Sequence, residues 1–287
     1  MLAIQKTDTV VDATLGGAGH AREIAAVLGH EGFFIGFDLD SDAIDRAEAA
    51  LSDASTRKLF INANFRTMKK ELEDRGVTQI DKALFDLGWS ATQLEAGRGF
   101  SFLSDEPLLM TYAKTPKEHA LTAATIVNEW AESSLSDIIF GWGEERYSRR
   151  IARMIVERRQ RKSFSTASEL AEAIREAVPP AARRGRLHPA TKTFQALRIA
   201  VNDEMGALKD GLMGARAMLT PGGRIAVITF HSIEDRAVKH LFADWEKEGK
   251  GQRLTKKPIA PTPEELKENP RARSAKLRVF QTVLKHS

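Results

Sequence analysis

Asp12, Asp38 and Asp86 each close a short apolar run, "TVVD", "FFIGFD" and "DKALFD", and the turn "LGGAGH" follows the first of them. A β-branched run that passes through glycines into a helix, here from about Ala21, is the kind of turn that meets a nucleotide. The dinucleotide fingerprint G-x-G-x-x-G fits poorly, because Gly17 and Gly19 supply two glycines and Arg22 stands at the third position. A P-loop needs Gly-Lys-Ser/Thr, which this turn lacks. Asp38 lies 19 residues after Gly19, where a carboxylate accepts both hydroxyls of a ribose or, alternatively, caps the next helix. Phe65 follows the third strand as an adenine contact or a core residue, and Asp86 ends the fourth at the same edge. The set suits an adenosine cofactor without a pyrophosphate, namely S-adenosylmethionine.

The elements that must position these residues follow from the apolar pattern. "TVVDAT", "FFIGFDLD", "KLFINANF" and "DKALFDLG" read as strands, with helices between them and Ser41 or Asp42 as N-cap of the second helix. Short apolar runs separated by helices imply a parallel sheet covered on both faces. From about Pro107 to Pro189 nothing reads as a strand; "TAATIVNEWAESSLSDIIFGWG", "ERYSRRIARMIVERR" and "TASELAEAIREAV" have helical periodicity. Alternation resumes with a helix near Phe194 to Leu219, a turn "TPGG" at 220–223, the strand "RIAVITF" and a final strand at 277–285. The expected architecture is an α/β sheet domain over 1–104 and 193–287, interrupted by a helical insertion at 105–192. The Pro-rich, charged stretch 256–274 reads as a loop.

The chain of 287 residues has room for a core domain plus an insertion, and no run approaches the roughly 18–20 apolar residues of a membrane helix. Lys6 and Asp8 interrupt the apolar N-terminus, which is not a secretory signal, so a cytoplasmic protein is expected. The absence of cysteine excludes disulfides, Cys-ligated zinc and a thiolate nucleophile, and no metal site is read. From Arg146 to Lys162 there are eight Lys/Arg and one acid, Glu157. Arg146, Arg149, Arg150 and Arg153 fall at helical spacing opposite Tyr147, Ile151, Met154 and Ile155, as a solvated face or as a site for a polyanion. "RRGR" at 183–186 and "NPRARSAKLR" at 269–278 favour the polyanion.

Three long motifs, "HPATKTFQALRIAVNDE" (188–204), "ITFHSIEDRAVK" (228–239) and "NPRARSAKLRV" (269–279), carry more polar information than packing requires. With "VDATLGGAGH", "DLGWSATQ" and "RGFSF" they resemble the bacterial small-subunit (16S) rRNA cytosine-N4-methyltransferase family, also called MraW, over nearly the whole chain. The resemblance implies a Rossmann-like class I methyltransferase sheet and S-adenosylmethionine held by Ala18, Gly19, His20, Asp38, Phe65, Asp86 and Gln93. It implies as substrate cytosine 1402, near the ribosomal P site of the small subunit. The chain departs from the family in lacking the short segment that usually precedes the first strand. It departs again at Trp89 and Ala91 in "DLGWSA", and at Leu109, Thr111 and Ala113 in place of charged residues.

Methylation at cytosine C5 needs a thiolate adduct, which this chain cannot make. Transfer to an exocyclic amine needs a base swung out of its stack and an amine oriented toward the methyl group. Asp86 is placed to touch either the amine or the methionine moiety, and Trp89 to stack on a base. His188, Lys192, Arg198, Asn202 and Glu204, with His231, Glu234, Asp235 and Arg236, are assigned to an RNA-facing wall at the carboxyl edge of the sheet. The arginine stripe, Arg271 and Arg273 are assigned to phosphates. The leading reading is an enzyme acting as monomer or homodimer. The alternative is an RNA-binding assembly protein that has lost transfer, motivated by Leu109, Thr111 and Ala113. A nicotinamide dehydrogenase is disfavoured by Arg22.

Overall fold

The computed structural model describes residues 1–88, 94, 97–102, 104–115, 119–185 and 187–284. It divides into two compact units, Met1–Trp89 with Met205–Ser287, and Ser90–Glu204. The helices used below are, in chain order, α1 (Gly19–Val27), α2 (Ser41–Ala50), α3 (Met68–Glu73), α4 (Ala123–Glu129), α5 (Glu132–Gly141), α6 (Ser148–Arg159), α7 (Ala167–Ala177), α8 (Thr191–Asn202), α9 (Glu204–Met218) and α10 (Ser232–Lys247).

The first unit is built on strands β1 (Thr9–Asp12), β2 (Phe33–Asp38), β3 (Arg57–Asn62), β4 (Ile80–Asp86), β5 (Leu219–Thr229), β6 (Gly251–Arg253) and β7 (Lys276–Thr282). They form one sheet in the order β3-β2-β1-β4-β5-β7-β6. The first five are parallel, and β7 pairs antiparallel with both β5 and β6. Successive strand residues point to opposite faces, and both faces are dry. Val10, Phe34, Leu84, Ala226 and Val279 pack with Ile24 and Ala47 of α1 and α2. Their neighbours Val11, Ile35, Phe85, Val227 and Phe280 pack with Leu72, Leu212 and Phe242 from α3, α9 and α10. Each buried Val, Leu, Ile or Phe among them contributes about 1.5–3 kcal/mol, and burial on both faces is why these runs read as nearly continuous apolar segments. The chain winds outward from β1 through β2 to β3, then returns to β4 on the other side of β1. That reversal opens a crevice at the carboxyl ends of β1 and β4.

The second unit has its own core, with Leu135, Ile139, Ile151, Ile155, Leu170, Ile174, Phe194 and Leu197 buried together. Among its described residues there is no β-strand, only an isolated bridge between Pro107 and Thr166. Thr166 and Glu169 form a reciprocal capping box at the start of α7. Among the described residues of the chain, no helix is long and apolar enough to cross a membrane.

Several expectations need correction. The units divide at 89/90 and 204/205, not at 104/105 and 192/193, because Phe194, Leu197 and Ala200 of α8 belong to the helical core. The helix expected from 194 to 219 is interrupted at Asp203, which sits at φ 44° and ψ 47°. The stretch 122–143 holds two helices, since Trp130 and Ala131 are extended. "TPGG" lies within β5 as an irregularity: pairing passes from Ile80–Leu219 to Lys82–Arg224. Gly222 there has φ 77°. The N-cap of α2 is Asp40, whose side chain accepts from Asp42 N–H at 3.1 Å.

Candidate active site

The site is assembled at the carboxyl ends of β1, β2 and β4. Asp12 closes β1 with no solvent exposure. The Thr14 N–H donates to its Oδ1 at 3.1 Å, while Oδ2 is buried with no hydrogen-bond partner. Burial pushes this carboxyl up to about 7; the Thr14 N–H and His20 oppose the rise, and the nearby Asp86 and Asp38 charges add to it.

The loop that follows is fixed by backbone contacts. Leu15 N–H donates to Phe37 O at 3.1 Å, and Ala18 N–H donates to Leu15 O at 2.7 Å. The Leu15 side chain lies over β2 at Gly36, where a Cβ would stand 2.6 Å from Leu15 Cδ2. Ala18 adopts φ 61°, ψ 18° at the N-cap of α1, a conformation that costs an L-residue about 1–2 kcal/mol. No side chain caps α1 and its first turn carries no acid, so its leading N–H groups are left for a ligand or water. A Cβ at Gly17 or Gly19 would meet nothing within 4 Å, so there is open space beside the loop.

Asp38 closes β2 and ties the loop to it, with Oδ2 accepting from Gly16 N–H and Oδ1 from Asp40 N–H, both at 2.9 Å. Burial raises its pKa, and these two bonds oppose the rise. Each oxygen keeps a lone pair for a further donor. Asp86 closes β4; its N–H donates to the Thr14 hydroxyl at 2.8 Å, so β4 also holds the loop. Asp86 Oδ2 lies 3.4 Å from His20 Nε2, and its Oδ1 is buried without a partner. The bond to Asp86 raises the His20 pKa, against the effect of burial. Phe65 is half-buried, edge-on to Phe85 at 5.5 Å and pressed against Gly211 of α9, where a Cβ would come within 2.5 Å of the ring.

Two buried carboxylate oxygens without donors, Asp12 Oδ2 and Asp86 Oδ1, thus stand at the ends of the two strands that flank the crevice. A ligand bringing an ammonium and sugar hydroxyls into the open space fits that donor deficit. Ala18, Gly19, His20, Asp38, Phe65 and Asp86 all belong to this one unit. Trp89 and Gln93 lie outside the described residues. Thr14 is an addition, and for Asp12 "VDAT" shows a strand ending on an acid but not that the acid is dehydrated.

The residues assigned to an RNA-facing wall divide between the units. In the helical unit Arg198 is buried and makes two bonds to Glu204, at 2.7 and 2.9 Å. Asn202 clasps the segment 110–112, accepting from Tyr112 N–H at 2.9 Å and donating to Met110 O at 2.8 Å. Glu204 also accepts from the Tyr112 hydroxyl at 2.9 Å. These three side chains act as locks in the fold. The same segment contains Leu109, Thr111 and Ala113, and the buried Thr111 hydroxyl is satisfied by Ala113 O at 3.3 Å. His188 is exposed and stacks on Phe102 at 4.5 Å; burial of part of its ring lowers its pKa. Exposed Lys192 donates to Glu144 O at 2.9 Å. Arg146, Arg149, Arg150 and Arg153 are exposed, opposite the buried Ile151, Ala152 and Ile155.

In the sheet unit His231 caps α10 in a reciprocal box with Glu234. Asp235 is buried against Arg278, with bonds of 2.7 and 3.2 Å, and lies 3.3 Å from Lys276. Burial pushes its carboxyl up, but the two cations outweigh that and hold it below the usual range. His231 and Asp235 therefore secure α10, while Arg236, Arg271 and Arg273 are exposed.

Comparison with known proteins now bears on this geometry. The family model of the MraW methylase family matches residues 1–283. A relative from Brevibacillus brevis named "Ribosomal RNA small subunit methyltransferase H" is 44% identical over 298 residues, covering 98% of this chain and 94% of that protein. Proteins of the same name from Clostridioides difficile and a Paenibacillus species are 43% and 46% identical, each covering 98% of this chain and 95% of the relative. The chain belongs to the MraW methylase family, and its cofactor is S-adenosylmethionine.

Proposed function

We propose that this chain methylates N4 of one cytidine in 16S rRNA of the small ribosomal subunit, the family target being cytosine 1402. The observation that carries the reading is whole-length identity of 43–46% to proteins named as small-subunit ribosomal RNA methyltransferases. The absence of cysteine favours an amine over the ring carbon C5, because C5 transfer needs a thiolate adduct. An RNA target of this kind puts the protein in the cytoplasm.

When bound, S-adenosylmethionine supplies a methyl group made electrophilic by its sulfonium. The residues here serve to bind and orient. Asp38 accepts the ribose hydroxyls through its remaining lone pairs, and Phe65 offers one ring face to the adenine. Ala18, Gly19 and His20 bound the amino-acid end, with Gln93 assigned there from the family resemblance. Asp12 Oδ2 and Asp86 Oδ1, buried without donors, accept N–H groups from what enters the crevice. For Asp86 that includes the target amine: holding one amine proton turns the nitrogen and takes charge from it as the bond forms. Trp89 is assigned to stack on the target base. Arg146, Arg149, Arg150 and Arg153 of the helical unit hold phosphates, with exposed Lys192 as a further cation there. Exposed Arg236, Arg271 and Arg273 are the corresponding cations of the sheet unit, and His188 is assigned to the RNA by its ring.

The test is transfer of a labelled methyl group from S-adenosylmethionine to ribosomal subunits lacking the modification. Small subunits should be labelled and large subunits not. Unlabelled small subunits that the protein nevertheless binds would replace this reading with that of an assembly protein.

A further inference from the structure

We propose that the loop end of the α5–α6 hairpin is a stacking platform for an unpaired stretch of RNA, with Phe140 as the side chain that meets a base. The inference rests on the RNA-modifying reading above and names the form of RNA that this unit grips. Phe140 is 65% exposed, although it stands in the last turn of a well-packed helix. The adjacent Ile139 is fully buried, so the ring is the outward-facing apolar side chain of this last turn.

The ring is held on a rigid mount. Glu144 N–H donates to Phe140 O at 3.0 Å, and Glu145 N–H to Ile139 O at 3.3 Å. Lys192 Nζ donates to Glu144 O at 2.9 Å, which ties the loop to the start of α8. At Gly143 a Cβ would stand 2.5 Å from Ile139 O and 2.6 Å from Lys192 O, so only glycine lets the loop lie so close.

Helical rows then place the ring and the arginines on the same helix pair. Residues 132, 136 and 140 form one i, i+4 row on α5. Glu132 reaches Arg153 at 3.8 Å, and Ser136 reaches Ser148 at 3.3 Å, so this row runs along the seam with antiparallel α6. Arg149 precedes Arg153 by one turn of α6, and Arg146 lies in the turn just before the helix, with its guanidinium 4.6 Å from the Tyr147 ring. Phe140 therefore ends the row of α5 whose earlier members, Glu132 and Ser136, face the arginine-bearing α6.

The chemistry of that pairing is selective. Phosphates need only the arginines, whether the RNA is paired or not. A flat apolar ring adds something for a base with a free face, which a duplex does not offer and an unpaired strand does. A protein-docking face would extend the apolar surface, whereas the other exposed residues of α5 are Glu132, Ser133, Ser134, Asp137 and Gly141.

The experiment uses the full chain and a labelled mixed-sequence oligoribonucleotide of about twelve nucleotides, single-stranded or annealed, read by fluorescence anisotropy. Phe140→Ala and Phe140→Leu should weaken single-strand binding by roughly 5- to 150-fold and leave duplex binding and the salt slope as they were. Phe140→Trp should restore the affinity, while Arg149→Glu should weaken both forms and reduce the slope. Thermal midpoints of the Phe140 variants should match wild type, since the ring buries little. The proposal is overturned if Phe140→Ala or Phe140→Leu binds the single strand as wild type does, or if both RNA forms weaken equally. It is also overturned if light scattering shows a wild-type dimer that Phe140→Ala dissociates, which would give the ring to a second copy of the chain. Failure of wild type to bind either RNA would overturn the RNA-modifying reading itself.

Discussion

Replacing Asp12 with asparagine should stabilise the cofactor-free protein, and increasingly so as pH rises. In the folded protein burial holds this carboxyl near 7, against 3.8 for the free group. Between those values the folded state retains a proton that the unfolded chain has released, so stability falls with rising pH. At about 1.4 kcal/mol per pH unit, the whole loss is about 4 kcal/mol and is complete just above pH 7. About 2–3 kcal/mol of it falls between pH 5 and pH 8. Asparagine imitates the protonated acid: its carbonyl can keep the Thr14 N–H bond, and it cannot ionise. Urea unfolding of both proteins without cofactor, at pH 5 and pH 8, gives the difference directly, because Asp38 and His20 titrate in each. The Asp12→Asn advantage should widen by about 2–3 kcal/mol over that interval. An advantage of the same size at both values would refute the reasoning, since Asp12 would then be ionised in the fold throughout.

Asp38→Ala removes a charged acceptor and should weaken S-adenosylmethionine binding by about ten- to a hundredfold in calorimetric titration; unchanged affinity in a folded variant contradicts the ribose assignment. Reversing Arg149, Arg150 and Arg153 to glutamate should weaken RNA binding and flatten its salt dependence while leaving cofactor affinity alone. If affinity and slope both survive, the exposed stripe is only a solvated face. Trp89→Ala should slow methyl transfer far more than it weakens cofactor binding, because base–aromatic stacking contributes about 1–3 kcal/mol; equal transfer rates in variant and wild type count against a base contact.

The sheet was legible because its strands are buried on both sides and end on acids: "TVVD", "FFIGFD" and "DKALFD" announce both the strand and its edge. The arginine stripe was legible for a similar reason, since a 3.6-residue period separates Ile151 and Ile155 from Arg149 and Arg153. The break at Asp203 was not, because Asn202, Asp203 and Glu204 continue the helical pattern, and the tolerance of Asn and Asp for a left-handed turn is too weak a mark to set against it. That turn is held by contacts from outside the motif, Asn202 on 110–112 and Glu204 on Tyr112. The same contacts show a structural role for Arg198, Asn202 and Glu204 that the letters alone do not reveal, since a polar side chain that locks a fold and one that meets a ligand have the same letter. Asp12 illustrates the converse. Its place at a strand end could be read, but its raised pKa comes from burial in the fold, with smaller contributions from the Asp86 and Asp38 charges.

The central claim is that the methyl group ends on the exocyclic nitrogen of one cytidine in the small subunit. The most direct measurement is to treat unmodified small subunits with the protein and labelled S-adenosylmethionine, isolate the labelled 16S rRNA fragment, and digest it to nucleosides for mass spectrometry. A single labelled nucleoside should co-elute with N4-methylcytidine and come from cytosine 1402. Label in 5-methylcytidine, in a methylated ribose or in another base would contradict it.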